Sequence, residues 1–351
     1  MSDCFRVSVV VPCYNERDYI AEVVSAVLGP KRDAAVIELL VVDGGSTDGT
    51  SMILQGLEQR YADLHVLTNP DREIPKAMNI GIRAARGDVI VRMDAHSRYP
   101  SDYVGRLLAR LAASPDAGNV GGAWDVLPAN STLPARVAAA AGASRFGVGS
   151  ALYRVGHRGV TDADTVPFGC FRRTVLERVG LYDEQLVRNE DDELNARIRA
   201  AGYRIVLDPS IRIGYFSRPT IMKLAQMFFQ YGFFKPLVVL KTRKLTSLRQ
   251  LAPPALLVTM ALLLGCLCIR ARLFARPFVL LVGAYFVFLG CGAMALKTRG
   301  FRLGFMGRLL AIFCLAAVHA SYGFGYIRGC IEFVVLRRHR VARRLEAVVT
   351  R

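Results

Sequence analysis

The chain has 351 residues, 52 % of them hydrophobic, and a formal net charge of +17, which is room for one large domain and a second region. The charge is uneven: from Leu251 onward fourteen basic side chains stand against Glu332 and Glu346, so this third carries +12 of the excess. These charges flank apolar runs, which excludes a nucleic-acid surface as their reason and reads as membrane flanks meeting anionic lipid. The eight cysteines contain no C-x-x-C pair, and Cys266, Cys268, Cys291, Cys314 and Cys330 lie in the apolar third. There cysteine acts as a small hydrophobe, so a reduced compartment without a disulfide framework is expected. The run Met1-Ser2-Asp3-Cys4-Phe5-Arg6 has no charged n-region and no h-region; no leader is expected to be removed, and the first domain is expected in the cytoplasm.

Residues 7–11 form an apolar strand stopped by Pro12, with a polar loop over 13–18 and a helix over 19–28. This is the first β-α step of a doubly wound sheet. No G-x-G-x-x-G follows, which argues against a dinucleotide oxidoreductase. A second strand, 38–42, ends in Asp43-Gly44-Gly45-Ser46-Thr47-Asp48-Gly49-Thr50 and opens a helix over 51–60. Asp43 stands at the strand's carboxyl end, where an acceptor can read a base or a ribose; Ser46, Thr47 and Asp48 serve equally well as turn and cap residues. A short strand over 65–68 precedes a helix running to Arg86, with Pro75 in its first turn. Lys76 and Asn79 lie three apart and share a face expected to look at the site.

The stretch around which the rest is organised is 88–100. Residues 89–93 read as a buried strand that delivers Asp94 and His96 at its carboxyl end. A carboxylate and an imidazole there can hold a divalent ion, and the ion a diphosphate. An isolated D-x-H is more often a solvated strand end, so the pair takes its weight from what surrounds it. Ser101 is expected to cap a helix over 102–113. A strand over 119–126, an Ala-rich helix over 134–144 and a mobile loop over 146–157, lying across the site, follow. Next come a strand over 165–171 and a helix stopped by Gly180. The run Arg188-Asn189-Glu190-Asp191-Asp192-Glu193-Leu194 opens a helix to Ala201. Acidic side chains suit a helix N-terminus, but four in a row exceed what capping needs.

After a last strand over 203–207, residues 223–240 are apolar and aromatic and read as an interfacial segment, because Lys235-Pro236 interrupts them. Three apolar segments follow, over 251–269, 277–296 and 309–327, each about twenty residues, the length of a membrane crossing. His319, Ser321 and Tyr322 make the third more polar, and Gly323, Gly325 and Gly329 give it close-packing faces. Three full crossings from a cytoplasmic first domain would leave the Arg-rich tail outside, against the positive-inside rule. Either the last segment is re-entrant or interfacial, or an earlier one does not cross.

Taken together, Val11-Pro12-Cys13-Tyr14-Asn15-Glu16, the Asp43-to-Thr50 turn, Asp94-Ala95-His96 and Glu190-Asp191-Asp192-Glu193-Leu194 resemble the family 2 glycosyltransferases of the GT-A fold. Met93 to Pro100, Tyr231-Gly232 and the His319-to-Gly325 segment are most similar to the succinoglycan-biosynthesis (ExoA-like) members. Any one motif is weak, whereas four in order at the right strand ends are specific. The resemblance implies a Rossmann-like α/β domain with a mixed, mostly parallel sheet over 1–215, an interfacial linker over 216–250, and transmembrane helices with a basic tail over 251–351. It further implies that Pro12, Tyr14 and Glu16 line the nucleotide pocket, that Asp43 binds uracil or ribose, and that Lys76 lies near the nucleotide. Asp94 and His96 would hold Mn²⁺ or Mg²⁺ against the donor diphosphate. Glu190 would touch substrate, and Asp191 would be the catalytic base. His96 departs from the commoner second Asp and favours the softer Mn²⁺.

The expected activity is inverting transfer from a nucleotide-sugar, with UDP expected, to a polyprenyl-diphosphate-linked saccharide in exopolysaccharide or surface-glycan synthesis. The setting expected is the plasma membrane, with the catalytic domain cytoplasmic and membrane lipids as partners. A polyprenyl-phosphate sugar synthase is the near alternative, weighed down by the Asp191 cluster, since a phosphate acceptor needs little base assistance. A processive synthase is disfavoured because the single Trp, Trp124, lies outside any Q-x-x-R-W context. A membrane-anchored nucleotide-sugar binding protein without catalysis would leave the motif set needless.

Overall fold

The computed structural model describes residues 5–245, 247–298 and 302–338. Residues 1–4 and the basic tail with Arg340, Arg343, Arg344 and Arg351 lie outside the described residues. The chain divides into two units. One holds the residues up to Asp125 together with Gly156–Tyr215, and the other holds Val126–Val155 together with the chain from Phe216 onward. The segment Val126–Val155 thus belongs with the helices of the C-terminal part.

In chain order the first unit begins with β1 (Val7–Cys13), α1 (Ile20–Leu28), β2 (Val36–Asp43), α2 (Thr50–Arg60), β3 (Leu64–Thr68) and α3 (Ile74–Ala84). Then come β4 (Val89–Arg92), β5 (Ser97–Arg98), α4 (Tyr103–Ala112) and β6 (Ala117–Leu127). The second unit contributes α5 (Leu133–Gly142), α6 (Arg145–Val148) and α7 (Leu152–Val155). β7 (Thr161–Asp162), β8 (Cys170–Arg172), α8 (Arg173–Val179), α9 (Glu190–Ala200) and β9 (Arg204–Phe216) complete the first.

The sheet has nine strands in the order β3-β2-β1-β4-β8-β6-β9-β5, with β7 added on β9. β3, β2, β1 and β4 are parallel, whereas β8 runs antiparallel to β4 and β6. Val9, Val10, Val11, Leu39, Val41, Val42, Ile90 and Val91 are fully buried. Such unalternating apolar runs are what a parallel strand covered on both faces requires. The order reverses direction beside β1 and β4, and their carboxyl ends therefore open on a crevice, the place where an α/β sheet collects ligands.

Most elements fall where periodicity puts them, and several do not. The strand expected over 165–171 is reduced to Cys170–Arg172, because Phe168 and Gly169 adopt positive φ (64° and 84°) and turn the chain before pairing starts. The last strand extends through Pro209 to Phe216, since β7 and β5 both pair with it. Ser101 is not the cap of α4: the helix starts after Asp102, without a side-chain cap bond. The expected loop over 146–157 is instead two short helices, α6 and α7. It is anchored within the second unit, where His319 Nε2 bonds the Phe146 carbonyl at 2.6 Å while His319 Nδ1 meets the Tyr285 hydroxyl at 3.1 Å.

The second unit continues with α10 (Ile221–Thr242), α11 (Ala252–Ile269), α12 (Ala271–Ala295) and α13 (Phe305–Gly329). Lys235-Pro236 does not interrupt α10, which runs unbroken for 22 residues. A proline inside a helix removes one ladder bond, and close packing on α13 offsets it. A Cβ on Gly232, Gly325 or Gly329 would lie 2.1 Å from the carbonyl oxygen of Tyr322, Phe229 or Phe233 respectively. Glycine is therefore required along this seam, where backbone meets backbone. Val137, Leu224, Phe228, Leu289 and Leu315 form part of a core shared by α5, α10, α12 and α13. Among the described residues, three helices are long and apolar enough to cross a membrane: Leu248–Ile269, Ala271–Ala295 and Phe305–Val335. Their outward faces carry Leu262, Leu280 and Phe313, all more than half exposed, which suits hydrocarbon and not water. The seven described cysteines are free.

Candidate active site

The loops after β1 and β2 are fastened to each other before either can meet a ligand. Asn15, at φ 54°, donates its N–H to Ser46 Oγ (2.7 Å), and its side-chain oxygen accepts from the Thr47 N–H (2.8 Å). The Glu16 N–H donates to Thr50 Oγ1 at 2.9 Å, and Asp48 accepts from both the N–H and the hydroxyl of Thr50. Ser46, Thr47 and Asp48 therefore do the work of turn and cap residues. Asp43 is buried, and its carboxylate accepts from Ser46 Oγ (2.5 Å) and Ser51 Oγ (2.8 Å). The Ser46 N–H also reaches both Asp43 oxygens, at 3.3 and 3.2 Å, so the first duty of this carboxylate is holding the turn shut.

Pro12 lies in the ladder opposite Val42. Tyr14 packs flat on Gly44, where an added Cβ would be 3.1 Å from the ring. On the ring lies the guanidinium of Arg72, 5.1 Å from the centroid, at a distance where a cation is attracted to the π-face. Lys76 bridges Asp71 and Glu73 at 3.0 Å each; burial lowers its pKa, but the two carboxylates outweigh that and hold it above the ordinary lysine range. Asn79 does not face the site as its spacing from Lys76 predicts. It is buried, exchanges bonds of 2.9 Å with the Tyr182 backbone, and donates to Glu184 at 2.8 Å.

At the end of β4 the strand supplies a residue that the motif search passed over. Arg92 is 3 % exposed and reaches three carboxylates. Its Nε donates to Asp94 Oδ1 at 3.0 Å, and its Nη1 donates to Asp191 Oδ1 at 2.9 Å and Glu190 Oε1 at 3.3 Å. Asp94, Glu190 and Asp191, from positions almost a hundred residues apart, are thus joined by one guanidinium. Burial raises the Asp191 pKa, Arg92 opposes it, and the charges of Glu190, Asp94 and Asp192 add to the rise, so that together they put it at about 8. The signal available in the sequence was a lone arginine inside an apolar strand, which is costly unless paired.

His96 meets Glu16, with Nδ1 3.0 Å from Glu16 Oε1. Tyr99 clasps the Asp94 backbone through its hydroxyl, and Tyr215 stacks on Trp124 at 3.8 Å with its edge toward His96. Among the described residues no three His, Cys, Asp or Glu side chains converge on one metal position. Asp94 and His96 nevertheless fit as a partial ligand pair. A carboxylate on Nδ1 fixes the imidazole and leaves Nε2 for a metal, and the Arg92 fork leaves Asp94 with spare lone pairs.

Comparison with known proteins places these features. The family model for glycosyl transferase family 2 matches residues 8–177. The succinoglycan biosynthesis protein ExoA of Rhizobium meliloti (strain 1021) is 32 % identical over 253 residues, covering 70 % of this chain and 74 % of that protein. The dolichyl N-acetyl-alpha-D-glucosaminyl phosphate 3-beta-D-2,3-diacetamido-2,3-dideoxy-beta-D-glucuronosyltransferase of Methanococcus voltae is 24 % identical over 242 residues, 67 % of this chain and 74 % of that one. The solved mannosyltransferase PcManGT from Pyrobaculum calidifontis, in complex with GDP-Man and Mn²⁺, shares the fold with a TM-score of 0.57. It is 22 % identical, with 90 % of this chain and 86 % of that chain covered. A GT-A sheet with its acidic cluster at the carboxyl strand ends, and a relative of this identity and extent, show that the chain belongs to glycosyl transferase family 2.

Proposed function

We propose that this glycosyltransferase moves a sugar from a UDP-sugar to a hydroxyl of a polyprenyl-diphosphate-linked saccharide, inverting the anomeric configuration, in the synthesis of an exopolysaccharide or surface glycan. The observation that carries the proposal is the Arg92 bridge, which holds Asp94 on one edge and Glu190 and Asp191 on the other. Two carboxylates in one site with different surroundings take different duties. Asp94, beside the His96–Glu16 pair, faces the donor diphosphate. Asp191, whose pKa is raised to about 8, takes the proton of the attacking hydroxyl, a task suited to a base that titrates near the working pH. Glu190 contacts substrate beside it. A single displacement assisted by one base inverts the sugar.

Tyr14, packed against Gly44 and Arg72, supports a nucleotide platform, and Pro12, Glu16, Asp43 and Lys76 line the same pocket. Mn²⁺ or Mg²⁺ held by Asp94 and His96 would stabilise charge on the leaving diphosphate. The imidazole favours Mn²⁺. The Methanococcus voltae relative is named for a dolichyl-phosphate-linked sugar acceptor, and the three membrane-capable helices of this chain support a lipid-linked acceptor at a plasma membrane, with the catalytic domain cytoplasmic.

The test is transfer by detergent-purified full-length protein across a panel of UDP- and GDP-sugars, with Mn²⁺ or Mg²⁺ and lipid-linked acceptors. One UDP-sugar should be consumed, faster with Mn²⁺ at equal occupancy, and Asp94→Ala should abolish consumption. Turnover only with GDP-sugars would overturn the donor assignment, and nucleotide binding without turnover on any acceptor would overturn the enzyme.

A further inference from the structure

Arg92 is a buried cation at the centre of the acidic cluster that no motif accounts for, and its surroundings brace it. Its backbone is locked on both sides: the residue pairs with Val10 of β1, and its N–H donates to the Gly169 carbonyl at 3.0 Å. The guanidinium lies 5.9 Å from the ring centroid of Tyr182, and that residue's backbone is clamped in turn by the buried amide of Asn79. From this braced position the planar fork spreads. Nε and Nη2 meet the two oxygens of Asp94 at 3.0 and 3.4 Å, and Nη1 meets Asp191 and Glu190 at 2.9 and 3.3 Å.

We propose that Arg92 is a positioning residue that fixes the carboxylate facing the donor and the carboxylate facing the acceptor relative to each other, so that leaving group and nucleophile are aligned by one rigid group. The proposal rests on the transferase reading above and adds to it a role for a residue outside the family motifs. A guanidinium suits the task because its five donors are set in one plane at fixed angles and serve carboxylates on two edges at once. An ammonium in the same place keeps the charge and loses the fork. Charge compensation alone would need no such geometry. One cation among three carboxylates compensates them only in part, whereas the directed bonds reach all three.

Two arms test it in the full-length protein. The first needs no acceptor: UDP binding is titrated with Mn²⁺ in the wild type and in Arg92→Lys. With Asp94 no longer gripped by two nitrogens, the half-saturating Mn²⁺ concentration should rise about tenfold, while UDP affinity at saturating Mn²⁺ stays within about threefold. The second reads kcat for transfer. Arg92→Lys should lower it about 100-fold with little change in donor KM, the cost of a misplaced reacting group. Arg92→Met combined with Asp191→Asn, read at saturating Mn²⁺, should lose less than the product of the two single losses, because part of what Arg92 does runs through that carboxylate. Where Arg92→Met lowers Tm so far that it does not fold, Arg92→Lys takes its place in the cycle. Near-wild-type kcat in Arg92→Lys, an unmoved Mn²⁺ half-point, or losses that multiply in the double variant would overturn the proposal. Because the Mn²⁺ arm involves no transfer, it separates failure of this role from failure of the transferase reading.

Discussion

The two ends of one sheet carry buried carboxylates in opposite circumstances. At the amino ends of β1 and β2, Glu38 stands alone among donors. Ser8 Oγ and the Arg86 N–H reach one of its oxygens at 2.6 Å each, and Arg86 Nε reaches the other at 2.8 Å. Burial raises its pKa, but those bonds more than reverse the effect, and Glu38 ends below the ordinary range. At the carboxyl end of β4 the proportions invert, with one buried arginine shared by Asp94, Glu190 and Asp191. Donors in excess make a settled structural ion. Carboxylates in excess leave Asp191 with a raised pKa, which is what the proposed base needs.

Asp191→Asn breaks the carboxyl-end side of this contrast most severely. The amide keeps the size and one acceptor for Arg92 but cannot take a proton. Transfer should fall about 10³-fold, within the range that a positioned base contributes, while UDP-sugar affinity measured by calorimetry changes by less than about threefold. Weakened donor binding with an unchanged rate constant would move Asp191 out of the role of base.

The pH dependence sharpens the contrast, because the signs are opposite. As the proposed base, Asp191 acts only when deprotonated, so kcat/KM for the donor, which reports the free enzyme, should rise about tenfold per pH unit and level off near pH 8. Its raised pKa also means that the folded chain keeps a proton the unfolded chain has released. Its effect on stability therefore becomes more unfavourable as pH rises from about 4 to 8. Glu38 has a lowered pKa, so its stabilisation is complete above the ordinary glutamate pKa and is lost as pH falls through its folded value. A rate profile flat from pH 6 to 9 would contradict the first half, and stability unaffected by acid below pH 4 the second.

How much of this could be read beforehand follows the range of the forces involved. The strands ending at Asp43 and Asp94 were legible because apolar runs and turn residues are local signals, and so were the three membrane-capable helices. Asp94, His96, Glu190 and Asp191 stood out as motif positions. Arg92 did not, since its meaning lies in partners 98 and 99 residues away, and spacing carries no trace of them. Asn79 departs from its expected place for the same reason: helical periodicity gives the face, but Tyr182 decides what the face meets. The break expected at Pro236 does not occur, because α10 is held straight by a glycine seam that needs Gly325 and Gly329 of α13 beside its own Gly232. Phe168 adopts positive φ without a glycine to announce it.

The amino-end cluster offers the smaller effects, and they divide by exposure. Glu38→Ala leaves the Ser8 hydroxyl without its acceptor, and the Arg86 N–H with Ser8 Oγ alone at 3.2 Å, beneath a side chain that was 2 % exposed. The expected loss is ~2–3 kcal/mol, the cost of stranding buried donors, seen as a lower Tm. Arg86→Ala removes the other partner, but that side chain is 62 % exposed. Water replaces much of what it gave, and the loss should stay under about 1 kcal/mol. Neither variant should change kcat per folded molecule, because the cluster lies at the opposite ends of the strands from Asp94. Equal losses for the two would mean that the ion pair itself, and not the burial of Glu38 among donors, stabilises this end of the sheet. A fall in kcat with Tm preserved would mean that the two ends are coupled through β1 and β4, and the contrast between structural and catalytic carboxylates would no longer hold.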